Sequence, residues 1–307
     1  MKSLLCATFV VVGVWLVLAP WVSSAYLTTL QLIIFMYICL ASSWNLISGY
    51  VGYVSFGHVV FFGVGAYVGG IAMAHGTAWP LAVLFAGLGA ALLAVVIGYP
   101  CLRLRGAYFA IAMLAVNELV RILVLAFEGI TKGATGLYLR PIENNRIMYY
   151  AMAVVAAAVV LTARSLNRSK FGLRLMAIRE DEVAAEVMGI DTTRLKVYAF
   201  ILSAFFPGLA GALFARYQSF IDPESSFAVL TTIQMIIMTL FGGKGTVLGP
   251  VLGAVVLSIF AELVWVRFPF LHQSIFGLLI VTIVLLMPNG VLGLLRQRGI
   301  IPLRKIL

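Results

Sequence analysis

Residues 54–100 read VSFGHVVFFGVGAYVGGIAMAHGTAWPLAVLFAGLGAALLAVVIGYP, and this stretch decides the fold class. It contains no Lys, Arg, Asp or Glu, and the charge-free sequence around it runs from Lys2 to Arg103. Such a stretch would aggregate in water, whereas a bilayer favours it, because one charge at the membrane midplane costs roughly 2.5–3.5 kcal/mol. The chain is 63% hydrophobic and 10% charged, while soluble domains are about one-quarter charged. The sequence therefore predicts an all-α integral membrane protein.

A membrane-spanning helix needs about 20 predominantly apolar residues. By this criterion we predict one transmembrane domain over residues 1–307, a polytopic helix bundle of about ten spans, with eight as the lower bound. The predicted spans are residues 4–22, 30–48, 54–74, 79–100, 107–127, 147–166, 195–217, 226–242, 247–266 and 272–290.

Two of these spans admit a second interpretation. Residues 226–242 are short for a span, and a re-entrant half-helix that protein or an aqueous cavity covers fits them as well. The first apolar segment, between Lys2 and the small residues Ser23–Ala25, resembles a signal peptide. Its apolar stretch is longer than a usual signal core, so we expect a retained span.

The positive charges predict the orientation, because Lys and Arg concentrate in cytoplasmic loops. When loops are numbered alternately from an inside N-terminus, most positive residues fall inside. We therefore expect both termini in the cytoplasm and a cytoplasmic loop over residues 164–196. The net charge of +10 follows from these loops and does not indicate nucleic-acid binding. The inside residues are Lys2, Arg103, Arg105, those from Arg164 to Lys196, Lys244, Arg296, Arg298, Arg304 and Lys305.

Residue types that support catalysis or metal binding are scattered along the chain. The three cysteines give neither a disulfide framework nor metal-ligand spacing, and the three histidines are far apart. The stretch GGKGT at 242–246 lacks the spacing of a phosphate-binding loop. We expect no enzymatic activity, no metal site and no cofactor in this chain. The residues concerned are Cys6, Cys39, Cys101, His58, His75 and His272.

The cytoplasmic loop contains a candidate docking element, AIREDEVAAEVMGI at residues 177–190. Its alanines and early acidic residues suit a short helix, since carboxylates are favourable near a helix N-terminus, and Gly189 stands where a C-terminal glycine belongs. On a helical wheel Glu182 falls on the polar side, whereas Asp181 falls among the apolar positions and weakens the pattern. Two interpretations stay open: a solvated surface loop, or a short helix that docks in a partner's cleft and transmits its motion.

Glycines and polar residues cluster at two places that are candidates for a translocation path. Residues 48–58 combine glycines, hydroxyls and aromatic rings, and a second glycine-rich stretch follows at 242–253. Transporters use unwound backbone around a substrate path. The alternative is that the glycines only allow close helix packing. The candidate path residues are Tyr50, Gly52, Tyr53, Ser55, Gly57, His58, Gly243 and Gly245.

The fifth predicted span carries a candidate intramembrane ion pair. Glu118 and Arg121 are three residues apart, so they share a helix face and can pair. Ionisable residues inside a membrane are functional candidates by default. A purely structural ion pair is the other interpretation.

Five blocks of the sequence, in a fixed order, are characteristic. The blocks are SGYVGYVSFGHVVFFGVGAY at 48–67, LRLRGAYFAIAMLAVNELVRI at 102–122, TKGATGL at 131–137, residues 177–190 followed by 196–213, and FGGKGTVLGPVLGA at 241–254. Together they resemble the branched-chain amino acid ABC-transporter permeases of the LivM type. The similarity covers about residues 40 to 290, and the order of the blocks makes it specific.

This resemblance implies a non-catalytic permease subunit of an ATP-binding-cassette importer, in the bacterial cytoplasmic (inner) membrane. The implied substrates are branched-chain or other hydrophobic amino acids, or related small molecules. The implied partners are a second homologous permease, two subunits that bind ATP and Mg, and a periplasmic or lipid-anchored substrate-binding protein. The implied contact with the ATP-binding subunits comprises Arg179, Glu180, Asp181, Glu182, Ala184, Ala185 and Gly189.

Two residues depart from the family pattern, and two other classes of protein stay open. Lys132 stands where glycine is usual, and Tyr53 stands where Gln is frequent, which bears on the substrate. A stand-alone, ion-coupled secondary transporter would use intramembrane acids such as Glu118 or Glu262 as carriers. A membrane-embedded enzyme would need an acid/base or metal cluster inside the bilayer, and the sequence shows none.

Overall fold

The computed structural model describes residues 18–141, 145–268, 277–278, 281–282 and 290–297. The apolar runs form helices, because a helix satisfies its own backbone hydrogen bonds inside the membrane. The elements are α1 (Ala25–Ser48), α2 (Val59–Ala74), α3 (Trp79–Cys101), α4 (Ala107–Ala126), α5 (Glu128–Thr131), a 3-10 turn (Gly133–Thr135), β1 (Leu137–Tyr138), α6 (Asn145–Asn167), α7 (Lys170–Glu180), α8 (Glu182–Val187), α9 (Thr192–Gln218), β2 (Phe220–Ile221), α10 (Pro223–Ser226), α11 (Val229–Gly242), α12 (Gly249–Arg267) and α13 (Gly290–Gln297).

Seven helical stretches in the described residues are long and apolar enough to cross a membrane: α1, α3, α4, α6, α9, the pair α10–α11, and α12. The apolar helix α2 is shorter, with 16 residues. These stretches match eight of the predicted spans and confirm a polytopic α-helical membrane protein. The predicted spans 4–22 and 272–290 lie mostly outside the described residues, so a total of ten spans stays a prediction, as does the orientation. The strands β1 and β2 pair antiparallel and join the loops at one end of the bundle.

The helices α1 and α9 form the centre of the bundle. α9 packs against α1, α2, α3 and α6, and α1 also packs against α6, α11 and α12. Polar side chains on α1 reach a different neighbouring helix at each depth, which holds the bundle together where the hydrophobic effect between helices is weak. These hydrogen bonds join Thr29 to Tyr217 (2.7 Å), Tyr149 to Gln31 (3.0 Å) and Tyr37 to Gln234 (2.5 Å).

Glycines bring the backbones of α2 and α9 into direct contact. A Cβ atom on Gly65 would lie 2.1 Å from the carbonyl oxygen of Gly208, and one on Gly211 would lie 2.0 Å from that of Phe62. Both distances are far below a van der Waals contact. The small residues of these helices therefore serve close packing, as the spacing of Gly65 and Gly69 suggests.

Two helices of the bundle are interrupted inside the protein. α2 begins only at Val59, five residues after the predicted start of its span, and α10 is separated from α11 by Phe227 and Ala228. Other helices satisfy the backbone groups that these breaks release. The amide of Asn117 donates to the carbonyl of Phe227 (2.9 Å), and the hydroxyl of Thr232 accepts from the backbone N–H of Val59 (3.1 Å).

The α2–α9 contact makes a first prediction. Gly65→Ala should lower the stability of the chain by about 1–3 kcal/mol, because overpacking forces the two backbones apart. Thermal unfolding of the detergent-solubilised chain measures the effect. Gly129→Ala is the matched control, since nothing lies within 4 Å of a Cβ atom at that position. Equal melting temperatures for the two variants would contradict the contact.

Candidate functional site

The segment 164–196 contains the end of α6, two short consecutive helices, α7 and α8, and the start of α9. The break between them falls at Asp181, whose backbone is extended with φ −156°. Its carboxylate accepts hydrogen bonds from the backbone N–H groups of Val183 (2.9 Å) and Ala184 (3.0 Å). Asp181 is therefore the N-cap of α8. The helical wheel assumed a single helix through this residue, and that assumption is wrong.

The C-terminus of α8 is closed by Gly189, as its position in the sequence predicts. Gly189 has φ +82°, a conformation that glycine adopts without steric cost. The N–H of Gly189 donates to Glu186 (2.9 Å), and the N–H of Ile190 donates to Ala185 (3.0 Å). These two bonds form a Schellman motif. Three apolar side chains of this short helix and its cap remain exposed: Val183, Val187 and Met188.

Glu182 points into the protein, although the helical wheel places it on the polar side. Its carboxylate accepts hydrogen bonds from Lys196 (2.6 Å) and from the hydroxyl of Tyr53 (2.7 Å), and Arg105 lies 3.5 Å away. Burial raises the pKa of the Glu182 carboxyl, but the hydrogen bonds from Lys196 and Tyr53 outweigh it and hold the pKa below its ordinary value. Glu182 is therefore an anion that the chain itself neutralises.

Lys196 is the centre of this arrangement. Its side chain is only 4% exposed, and its ammonium group also donates to the hydroxyl of Tyr53 (3.0 Å) and to the carbonyl of Leu102 (3.1 Å). All three N–H donors of the lysine are thereby used. One side chain near the start of α9 thus holds together α8, the loop between α1 and α2, and the end of α3.

Arg179 makes a second link between the same parts of the chain. Its guanidinium donates to the carbonyl of Gly49 (3.0 Å). A Cβ atom on Gly52 would lie 3.0 Å from the Arg179 Cγ atom, and one on Gly245 would lie 2.8 Å from the Arg179 Nη1 atom. The N–H of Gly245 in turn donates to the Asn45 side chain (2.8 Å). Both glycine-rich stretches therefore meet at α7 and α8.

We call this group of residues the loop cluster. It unites two predicted sets, because Arg179 and Glu182 come from the docking element while Gly52, Tyr53 and Gly245 come from the candidate path. The remaining docking residues, Glu180, Asp181, Ala184, Ala185 and Gly189, lie on or beside the same two helices. The loop cluster comprises Gly49, Gly52, Tyr53, Arg105, Arg179, Glu182, Lys196 and Gly245.

The other candidate path residues lie inside the bundle and make packing contacts. Tyr50 and Ser55 are buried. His58 is also buried, and its Nε2 atom lies 3.2 Å from the carbonyl of Ser203. A Cβ atom on Gly57 would lie 1.8 Å from the carbonyl of Met113, so a larger residue cannot replace it without moving α4. Gly243 has φ +123° and ends α11.

Glu118 and Arg121 form the predicted ion pair, with Arg121 Nε 2.9 Å from Glu118 Oε2. The pair lies on α4 and belongs neither to the loop cluster nor to the packed candidate path residues.

A cavity of about 630 Å³ lies at the end of the bundle opposite the loop cluster, between the ends of α1, α6 and α9. The sequence pattern does not reveal it. Its polar lining residues include Ser23, Thr28, Thr29, Asn145, Arg146 and Tyr217.

The sequence interpretation did not identify three members of the loop cluster, Lys196, Arg105 and Gly49. It also did not identify Asn45, which accepts a hydrogen bond from Gly245. One signal points to Lys196, since a lysine just inside a predicted span needs a counter-ion. The apolar run 195–217 places it there. The other three residues become visible only when the loops are folded together.

The helix bundle and the exposed short helix beside it define the class of protein, a polytopic α-helical membrane protein. The family model for the permease component of branched-chain amino acid transport systems matches residues 26–287. The chain is 30% identical to the high-affinity branched-chain amino acid transport system permease protein LivM of Salmonella typhimurium and to that of Escherichia coli, over 97% of this chain and 76% of each relative. It is 22% identical to the permease protein LivH of Escherichia coli, over 84% of this chain and 91% of that protein. No solved structure matches the chain.

The chain therefore belongs to the branched-chain amino acid transport permease family. This confirms the resemblance found in the sequence blocks. It supports the importer permease and does not support the ion-coupled secondary transporter.

The loop cluster makes a second prediction. Lys196→Met should lower the stability of the chain by about 1–3 kcal/mol, because among the described residues it leaves Arg105, 3.5 Å away, as the positive charge beside the Glu182 carboxylate. Thermal unfolding in detergent measures the change. Arg194→Met is the control, since it removes the exposed pair with Asp191 and should change stability by about 0.5 kcal/mol or less. A Lys196 variant as stable as this control would show that the buried pair contributes little.

Proposed function

We propose that this chain is one of two permease subunits in an ATP-binding-cassette importer of branched-chain or other hydrophobic amino acids, or of related small molecules. The loop cluster is the observation that carries the proposal. It fixes an exposed apolar helix, α8, to the loops at the ends of the membrane helices, as a subunit driven from outside the membrane requires. The substrate class follows from the relatives named LivM, which match nearly the whole chain.

The proposal assigns the chemistry of ATP to other subunits. Two ATP-binding subunits hold ATP and Mg and hydrolyse the nucleotide, while this chain is not catalytic. A periplasmic or lipid-anchored binding protein delivers the substrate to the opposite end of the bundle, where the cavity of about 630 Å³ lies. The chain spans the bacterial inner membrane with both termini in the cytoplasm.

The second permease subunit is a homologous chain in this proposal. LivM and LivH of Escherichia coli carry separate names, and both are similar to this chain. A complex of two related permeases is the arrangement that these similarities favour.

The structure offers a physical route for the coupling. α8 presents Val183, Val187 and Met188 to a partner, while Glu182 on the same helix is bonded to Lys196 and Tyr53. A displacement of α8 is therefore transmitted to the loop between α1 and α2. ATP drives transport only if the partner contacts differ between outward-open and inward-open states.

ATP-dependent uptake tests the proposed function directly. The importer, purified with the subunits that accompany this chain, is reconstituted into liposomes that contain ATP, and uptake of labelled leucine is measured with the binding protein added outside. We expect uptake to fall to background without ATP. Uptake by this chain alone, driven by an ion gradient, would contradict the proposal and favour the secondary transporter.

The docking surface makes a further prediction. Val187→Asp should reduce recovery of the ATP-binding subunits, and with it ATP-driven uptake, by about tenfold, because a charge replaces an apolar contact. Co-purification from mild detergent measures the recovery. Ile130→Asp is the control, since Ile130 is also an exposed apolar residue but lies on α5, beyond the far end of α4. Normal recovery with Val187→Asp would exclude this part of α8 as the docking surface.

A further inference from the structure

Helix α4 is the least buried of the candidate spans in the described residues, because only 17% of its 18-residue apolar segment is buried in the protein. One side of the helix packs against the bundle through Phe109, Met113 and Asn117, which are all buried. The opposite side is exposed along its length. Its exposed residues include Ile111, Leu114, Ala115, Glu118, Leu119 and Ile122.

The ion pair lies on this exposed side of α4. The side chain of Glu118 is 49% exposed and that of Arg121 is 32% exposed. Glu118 stands roughly 16 Å along a helix of about 30 Å, close to the middle of the helix. Within the described residues, the hydrogen bonds of these two side chains are made to each other.

A lipid environment does not satisfy these groups. The pair cancels its net charge, but Arg121 has five N–H donors and the contact with Glu118 engages only its Nε and one terminal nitrogen. Hydrocarbon offers no acceptor for the others. Charged side chains within membrane spans almost always face protein or water, because exposing them to lipid is costly. The exposed side of α4 therefore requires a protein cover.

We propose that the exposed side of α4, residues 111–122, is the contact surface for the second permease subunit. This inference rests on the proposed function, since it needs a second membrane-embedded chain. The ATP-binding subunits lie outside the membrane and do not reach this depth. Ala115, about one turn before Glu118, leaves room for a helix of the partner to approach closely.

The chemistry of the surface favours a homologous partner over a second copy of this chain. Two copies related by a two-fold axis along the membrane normal place identical residues at the same depth. Glu118 would then lie opposite Glu118 if the axis passed at this helix. A second copy would repeat the same neutralised pair, whereas a non-identical chain can present hydrogen-bond acceptors to the remaining N–H groups of Arg121.

Cysteine cross-linking in membranes tests the surface. The three native cysteines, Cys6, Cys39 and Cys101, are first replaced by alanine. This cysteine-free chain is suitable for the experiment if it still supports ATP-driven leucine uptake. Ala115→Cys is introduced in cells that express the whole importer. A short bifunctional reagent is then added, one end of which reacts with this thiol and the other with a thiol or an amine of the neighbouring chain. We expect Ala115→Cys to cross-link to the second permease at least fivefold more than Leu92→Cys, an exposed position on α3. Mass spectrometry identifies the partner.

Glu118→Gln gives a second measurement. It leaves Arg121 without its carboxylate at the surface, so recovery of the second permease should fall at least fivefold while the ATP-binding subunits, which dock on α8, are still recovered. A purely structural role of the ion pair would instead lower the recovery of this chain itself. Normal recovery of the second permease with this variant would overturn the inference.

The outcomes separate this inference from the proposed function. A cross-link from Ala115→Cys to another segment of the same chain, to a second copy of it, or to no protein overturns the inference while the importer still purifies intact. If the unaltered chain recovers no second permease at all, the proposed function fails and the inference fails with it.

Discussion

A lipid bilayer offers no hydrogen bonds, and the structure depends on that constraint at every level. Backbone groups released where α2 and α10–α11 are interrupted find partners in Asn117 and Thr232. The polar side chains of α1 reach three different helices. The bundle thus replaces the water that the membrane excludes with bonds between its own helices. Where the described chain leaves such groups at its surface, as on α4, the same constraint calls for another protein.

The loop cluster obeys the same rule at the edge of the membrane. A lysine that is almost fully buried requires a counter-ion, and Lys196 finds it in Glu182 of the largely exposed helix α8. The pair therefore has two effects: it neutralises a buried charge, and it fixes the orientation of α8. A buried ion pair is weak evidence for stability in general, so its specificity, which determines how α8 faces its surroundings, is the more informative property.

The sequence predicted those features that depend on local composition. Apolar runs located the seven candidate spans and the shorter helix α2 of the described residues, and the closing glycine of α8 followed from its position. Lys132, where the sequence resemblance leads one to expect glycine, adopts φ +64°, a conformation that glycine takes without steric cost. The prediction that the Glu182 side chain faces solvent was wrong, because its partners Tyr53 and Lys196 lie on other elements and the helical wheel does not include them. The late start of α2 depends on a long-range contact, the hydrogen bond from the backbone N–H of Val59 to Thr232. The role of Asp181 was missed because the helical wheel treated residues 178–188 as one continuous helix.

The contact between α2 and α9 limits how this permease moves. Their backbones touch at Gly65 and Gly211, with no side chain between them to change rotamer. Sliding by one residue would drive a Cβ atom into a main-chain carbonyl, so shear between the two helices is blocked. The close contact favours movement of the two helices together, with bending in the non-helical backbone at their ends. The segment from Gly49 to His58 is such a place, and it begins at the carbonyl that Arg179 holds.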